Sequence, residues 1–592
     1  MAQRRRYTKE QALALITALE ENDSGGEDDT RATDIPIDVL SDDEGNNVDS
    51  DSDTPDVTSF TNRPANLPAN PFATSSTNPP ANSTANPPAT STANPPATST
   101  ADSPGRPTVV GRNGTQWMEM NPGLQAGRVA AQNVFRATPG PTAPATRAVN
   151  QDSPASALNL FINERMMRHI QRCTEMEGKR VIGSHWTVTI NELECFIGLC
   201  YLRGVLGMKN MPWHSLWSEK WGLQFFRNAM SRKRFEEIMR VLRFDVKSER
   251  QERLRSDKFA LISEVWEEFV ENCKRCYIPG ENLCIDEQLF PTKARCRFTQ
   301  FMANKPDKFG IKFWLLTDAD SKYLINCFPY LGKDESRPEK VSLGHHVVSR
   351  LLQGLHGKGY NVTMDNFFMS LQLCNDLMKK SISCVGTVRQ NKPELPPLDS
   401  LRSHGTPVHA TQIYKSDSGV TLTAYKAKRN KIVLLMSSLH SSVCIENTEK
   451  RKPETILFYN RTKGGVDGLD QMAKNYSSKA GTRRWPLAVF FNLMDLAAVN
   501  AWCLYKLITG SDTSRRDFLF ALAEELCSHK IRSVNSKPTA SLENTADLPR
   551  FLKRKQCNFC RNKTNMACHG CQKAVCGSCA AAKIWICSKC SK

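Results

Sequence analysis

Apolar and polar positions along the last three-quarters of the chain repeat with two different periods. From Ser231 the period is helical. Phe235, Ile238, Met239 and Leu242 fall at i, i+3, i+4 and i+7, and Ser231 stands where an N-cap is needed. Residues 156–173, the segment Glu192–Gly204 with Asn191 as its N-cap, and Ile262–Lys274 also read as helices. Beyond them the pattern becomes one of short apolar runs: Leu283–Leu289, Lys312–Thr317 and Tyr323–Phe328. A helix over His346–Leu355, a run through Tyr360–Asn366, a helix over Ser370–Lys380 and a strand over Ser383–Val388 follow. Three strands, a helix, a fourth strand, a helix and a fifth strand is the order of a ribonuclease H-like fold. Asn391 to about Thr455 carries further β-type runs, as a β-rich subdomain inserted into that domain would.

Before residue 156 the pattern is different. Residues 7–21 read as one short helix. The segment Glu20–Asp56 holds fifteen acidic residues against Arg31 alone. An eight-residue repeat follows, opening at Asn70-Pro71, Asn78-Pro79, Asn86-Pro87 and Asn94-Pro95. With no apolar residues to stack, it reads as an extended linker. Disorder is expected to about Pro154.

Three aspartates stand in pointed places within these elements. Asp286 lies inside the apolar run Leu283–Leu289, Asp365 closes the run through Met364, and Asp467 follows the pair Gly464-Gly465 that opens a helix. Taken singly, an Asp is more often a cap or a surface residue. As a set without His or Cys beside it, the three suit a hard, oxygen-seeking ion such as Mg²⁺. Two such ions held by carboxylates can activate a nucleophile and stabilise a leaving oxygen in phosphodiester chemistry. Asp470, one turn beyond Asp467, shares its helical face and is a candidate fourth acid. Glu287 is expected on the other side of the strand from Asp286.

Charge supports a polyanionic partner. The chain of 592 residues carries +18 with a pI near 9.1, and the acidic segment alone holds −14, so the rest carries +32. Several domains are expected at this length. The N-terminus has no apolar stretch of the signal-peptide kind. The most apolar stretch, Leu487–Leu507, is interrupted by Asn492, Asp495 and Asn500, so no membrane partner is expected.

Of 21 cysteines, eight form four CxxC pairs at the end of the chain: Cys557/Cys560, Cys568/Cys571, Cys576/Cys579 and Cys587/Cys590. Each pair is half of a tetrahedral thiolate site, so two structural Zn²⁺ ions per chain are expected. Pairing first with third and second with fourth would make a cross-brace, and His569 is a possible substitute for a neighbouring thiolate. A cross-brace is also compatible with a RING-type ubiquitin ligase. Lys553, Arg554, Lys555, Arg561 and Lys563 beside it fit phosphate contact and nuclear import.

The motifs CIDEQL (284–289), NKPDKFGIK (304–312), YNVTMDNFF (360–368), VGTVR (385–389), KGGVDGLDQM (463–472) and RRWP (483–486), with AMSRKRFEEIMRVLRF (229–244) upstream, resemble the piggyBac family of DNA transposases. The resemblance runs from about residue 156 to the C-terminus. It implies that Asp286, Asp365 and Asp467 are the catalytic triad, that Asp470 is a further essential acid, and that Trp485 contacts DNA. Arg483 and Arg484 in the same motif, with Arg232, Lys233 and Arg234 on the basic helix, are candidate DNA contacts.

The resemblance also implies an interleaved multidomain α/β architecture. A helical dimerisation and DNA-binding domain would comprise 155–280 and 477–549. A catalytic domain would comprise 281–390 and 456–476, split by an insertion over 391–455, and a Cys-rich zinc domain would cover 550–592. The implied activity is cut-and-paste transposition by a nuclear homodimer on double-stranded DNA. It proceeds by nicking at transposon ends, hairpin formation and strand transfer at TTAA. The alternative is a domesticated DNA-binding or chromatin protein that keeps the fold without mobility.

Overall fold

In the computed structural model the chain divides into two units, Met1–Pro107 and Thr108–Lys592. The structure describes residues 108–123, 134–303, 305–334, 336–535, 550–568, 571 and 573–579. In the first unit it describes the paired strands Arg6–Tyr7 and Asp38–Val39. Apart from those strands, the helix expected over 7–21, the acidic segment and the octad repeat lie outside the described residues. So do His569, Cys587 and Cys590.

Order begins earlier than the expected Pro154. Strands β1 (Thr108–Val110) and β2 (Gln116–Met120) form an antiparallel hairpin. Its anchor is Trp117, which is fully buried and donates its indole N–H to the Glu394 carbonyl at 2.7 Å. Gly111 allows the close approach, since a Cβ there would lie 2.8 Å from the same carbonyl oxygen. The Pro- and Gly-containing flanks of this hairpin read locally as linker, and only the distant partner strand makes it a hairpin.

The helical part follows. The single helix expected over 156–173 is two, α1 (Pro154–Leu158) and α2 (Glu164–Val181). Asn163 restarts the second by accepting from Met166 N–H at 2.9 Å. Helix α3 (Ile190–Val205) is capped by Thr189, not Asn191. Thr189 and Glu192 form a reciprocal capping box, and Asn191 sits inside the first turn. Helix α4 (Arg232–Val241) begins after Ser231 as expected, and α5 (Ser263–Cys276) leads into the sheet.

The sheet strands are β3 (Asn282–Pro291), β4 (Thr299–Phe301), β5 (Phe309–Asp318) and β6 (Leu324–Pro329). Helix α6 (Leu343–Leu351), β7 (Asn361–Met364), α7 (Leu371–Met378) and β8 (Ser383–Thr387) come next. Strands β9 (Thr411–Ser416), β10 (Thr421–Lys428) and β11 (Lys431–Ser437) complete it. The order is β6-β5-β3-β7-β8-β11-β10-β9-β2-β1, with β4 beside β5. Neighbours β6/β5 and β5/β3 are antiparallel, and β3/β7 and β7/β8 are parallel. The strands of residues 391–455, expected as an insertion, therefore form no sheet of their own. Antiparallel pairing of β8 with β11 makes them a continuation of the central one.

After a short helix over Glu454–Thr462 come α8 (Gly465–Asn475), α9 (Trp485–Thr509) and α10 (Arg515–Asn535). Helix α9 is long and apolar enough to cross a membrane by length and composition. Here 94% of its most apolar window is buried inside the protein. Its polar residues are used internally: Asn500 accepts from the Leu324 N–H and donates to the Leu324 carbonyl, at 2.8 and 2.9 Å. Beyond α10 the described residues resume with the small hairpin β12 (Arg550–Gln556) and β13 (Lys563–Met566).

Candidate active site

Register brings the first two acids together. Met364 of β7 pairs in parallel with Ile285 of β3, so Asp365 comes abreast of Asp286 with its side chain toward the same face. The period of two then sorts β3. Cys284, Asp286 and Gln288 face α8, with Cys284 donating to the Lys463 carbonyl at 3.0 Å and Gln288 to Asp470 Oδ1 at 2.9 Å. Glu287 turns to the other side, 3.6 Å from Lys305 and 4.0 Å from Lys312.

The glycine pair sets the third side. Helix α8 abuts β3 so closely that a Cβ on Gly465 would lie 2.5 Å from both Cys284 Cβ and Thr317 Oγ1. Asp467 is thereby carried in the first turn of α8 at an exposed position, within electrostatic reach of Asp286. Asp470 is half-buried, its Oδ2 2.7 Å from Lys474 Nζ one turn on.

The electrostatics are those of crowded carboxylates. Burial first, then the charges of Glu287, Asp365 and Asp467, hold the Asp286 carboxyl well above its ordinary range. The Glu287 amide opposes this by donating to Asp286 Oδ1 at 2.8 Å. Asp365 is raised as well, chiefly by burial, although it accepts from the Phe367 N–H at 2.9 Å and lies near Arg389 and Lys312.

Two cations that the sequence reading passed over lie on the Glu287 side of β3, within electrostatic reach of the cluster. Burial disfavours the Lys305 ammonium, but Glu287, Asp286, Asp467 and Asp470 outweigh it and raise the pKa. Burial wins at Lys312, whose ammonium lies 3.9 Å from the centre of the Trp314 ring. The signal was present in NKPDKFGIK, where Lys312 shares the parity of Trp314, the cross-strand partner of Glu287.

The thiolates converge more tightly than the acids. Among the described residues, the one group of three or more potential ligands whose donor atoms all lie within 4.8 Å is Cys557, Cys560, Cys576 and Cys579. A tetrahedral site with Zn–S bonds of about 2.3 Å needs sulfurs about 3.8 Å apart, so the quartet fits zinc. It joins the first CxxC pair to the third, the pairing of a cross-brace. Cys568 is fully buried against Val575.

The candidate DNA contacts divide. Arg232, Lys233 and Arg483 are exposed, and Arg232 also pairs with Glu236 at 3.6 Å. The Arg234 guanidinium is committed within the chain, to Glu192 at 2.9 Å, Glu237 at 3.4 Å and the face of Trp186. Arg484 is likewise committed, donating to the Leu242 and Met239 carbonyls at the end of α4. Trp485 is half-buried, stacked on Phe259 with ring centres 5.5 Å apart and edge-on to Phe298.

An α/β domain that gathers separated carboxylates beside a sheet is a common frame for nucleic-acid chemistry, and comparison with known proteins narrows it. Residues 153–502 match the family described as Transposase IS4. The chain is 24% identical over 456 residues to human PiggyBac transposable element-derived protein 3, covering 72% of this chain and 74% of that protein. It is 25% identical over 378 residues to human PiggyBac transposable element-derived protein 2, covering 60% and 62%. A solved piggyBac transposase, in a synaptic complex with hairpin DNA, superposes with a TM-score of 0.63 at 30% identity. That match covers 77% of this chain and all of the solved one. The chain belongs to the piggyBac family of transposases.

Proposed function

We propose that this chain is an active DNA transposase that cuts at transposon ends and joins them to TTAA targets. The observation that carries the reading is the parallel register that sets Asp365 abreast of Asp286, with Asp467 brought to them by α8. The strand order 3-2-1-4-5 of β6-β5-β3-β7-β8, counted from β3 as first strand, supports a ribonuclease H-like core. The raised carboxyls support a cation site, since mutual repulsion and burial are both relieved by divalent charge.

Asp286, Asp365 and Asp467 would hold two Mg²⁺ ions, which when bound supply an activated oxygen nucleophile and neutralise the leaving oxygen. Water attacks the end phosphodiester and frees a 3′-hydroxyl. That hydroxyl attacks the opposite strand to form a hairpin, which water reopens, and the 3′-hydroxyl then attacks the target. Each step exchanges one P–O bond for another, so no side chain needs to become covalently attached.

Arg232, Lys233, Arg483 and Trp485 are the proposed DNA contacts, with Arg234 and Arg484 shaping the surface that carries the others. The cysteine tail is proposed to hold two zinc ions, the second on Cys568, Cys571, Cys587 and Cys590 or with His569 replacing one of them, and to read end sequence. A nuclear homodimer is the proposed working form. The test is nicking of a labelled transposon end in Mg²⁺. Absence of cleavage on an end the protein binds specifically would replace this reading with that of a binding protein.

A further inference from the structure

Asp470 is held through a buried chain of amides that reaches helix α9. Gln288 Nε2 donates to Asp470 Oδ1 at 2.9 Å, and Asn492 Nδ2 donates to Gln288 Oε1 at 2.8 Å. Both amides are buried, Gln288 at 2% and Asn492 at 1% exposure. The polarity of this chain is dictated from one end. Asp470, paired with Lys474 through its other oxygen, can only accept. Gln288 must therefore turn its NH₂ toward Asp470 and its carbonyl toward Asn492. Asn492 must in turn present its own NH₂, and its carbonyl Oδ1 is left buried with no hydrogen-bond partner.

An unsatisfied buried carbonyl is costly, and a sequence selected only for packing would place an apolar side chain there. From this we propose that Gln288 and Asn492 are positioning residues, which hold the Asp470 carboxylate in one orientation beside the acids of β3 and α8. The inference rests on the proposed metal-dependent activity. Gln288 lies two residues beyond Asp286 on the same face of β3, and Asn492 lies two turns beyond Trp485 on α9. The relay therefore ties three elements of the site into one frame: the strand of the first acid, the helix of the last two, and the helix that opens at the proposed DNA contact.

Gln288→Met and Asn492→Leu keep side-chain volume while removing the amides. Each is read by its Mn²⁺ dissociation constant from electron paramagnetic resonance, its single-turnover nicking rate, its end affinity and its melting transition. The expected result is Mn²⁺ binding weakened about 10-fold and nicking slowed ~10- to 100-fold, with end affinity unchanged. Because both act through the same Gln288 amide, the double variant should be no worse than Gln288→Met alone. The two variants lie on different elements, so loss of folding in one leaves the other to decide. Wild-type Mn²⁺ binding and nicking in either folded variant would overturn the relay, as would losses that multiply in the double variant. A wild-type chain that binds Mn²⁺ without nicking would overturn the activity while the Mn²⁺ comparison still judges the relay. A wild-type chain that binds no Mn²⁺ would overturn both.

Discussion

The sulfur of Cys560 lies 3.5 Å from that of Cys576, although sixteen residues separate them in sequence. Two CxxC pairs interleaved in this way, with Cys568 and Cys571 between them, predict two zinc ions per purified chain. Cys576→Ser should lower the zinc content and unfold the tail, while the melting of residues 108–535 stays the same. Metal content by mass spectrometry checks this, and a single zinc in the wild-type chain would dismiss the second site.

For the acids, Asp286→Ala, Asp365→Ala and Asp467→Ala are each expected to lower nicking by ~100-fold or more, about 2.7 kcal/mol of barrier. DNA affinity should stay within about twofold, because it comes chiefly from basic residues contacting phosphate. Nicking and gel-shift assays run in parallel decide it. Full cleavage by any one variant would take that residue out of the site.

Gly465 makes a sharper steric prediction. Its missing Cβ is what lets α8 lie against Cys284 and Thr317. Gly465→Ala should cost about 1–3 kcal/mol of stability as overpacking. It should also slow nicking, because Asp467 moves with the helix, whereas Gly464→Ala meets no atom within 4 Å and should be mild. Equal behaviour of the two variants in denaturation and cleavage would contradict this packing.

Asp495, buried in α9, is pushed up to about 7 by burial, against the opposing hydrogen bonds of Ser477 and Ser478. In the unfolded chain the group ionises near the ordinary 3.8, so between these values the unfolded state releases a proton that the folded state keeps. Stability should therefore fall as pH rises from 4 to 7 and level off above, by at most about 4 kcal/mol. Asp495→Asn should lack that slope. Denaturant titrations at pH 5 and pH 8 test the sign, and parallel slopes in both proteins would remove Asp495 as the cause.

The start of the larger unit at Thr108 gives a truncation pair. Removing residues 1–107 takes away the acidic segment and leaves the Trp117 hairpin, so stability should be unchanged and non-specific DNA binding stronger and more salt-dependent. Removing residues 1–123 also deletes the hairpin. Losing the buried Trp117 should then cost about 3–5 kcal/mol. Thermal melts and a salt titration of DNA binding separate the two effects. Equal melting of both truncations would show that the hairpin contributes no stability.

Local pattern determined the elements that run from Ser231 to Ser383 and the spacing of the terminal cysteines. A period, an N-cap such as Ser231 or a CxxC pair is written within a few residues. So was the capping box of α3, although Thr189 and Glu192 carry it where Asn191 drew the eye. Tertiary structure decided whatever depends on which distant segments become neighbours. Residues 108–120 read as linker until Trp117 finds Glu394 and β2 finds β9, a pairing across almost three hundred residues. Arg234 and Arg484 look like their exposed neighbours Lys233 and Arg483 until folding supplies Glu192 to one and the end of α4 to the other. The order Asp470, Gln288, Asn492 leaves no trace in local sequence, because a hydrogen bond between a helix, a strand and a second helix is set by register and packing alone.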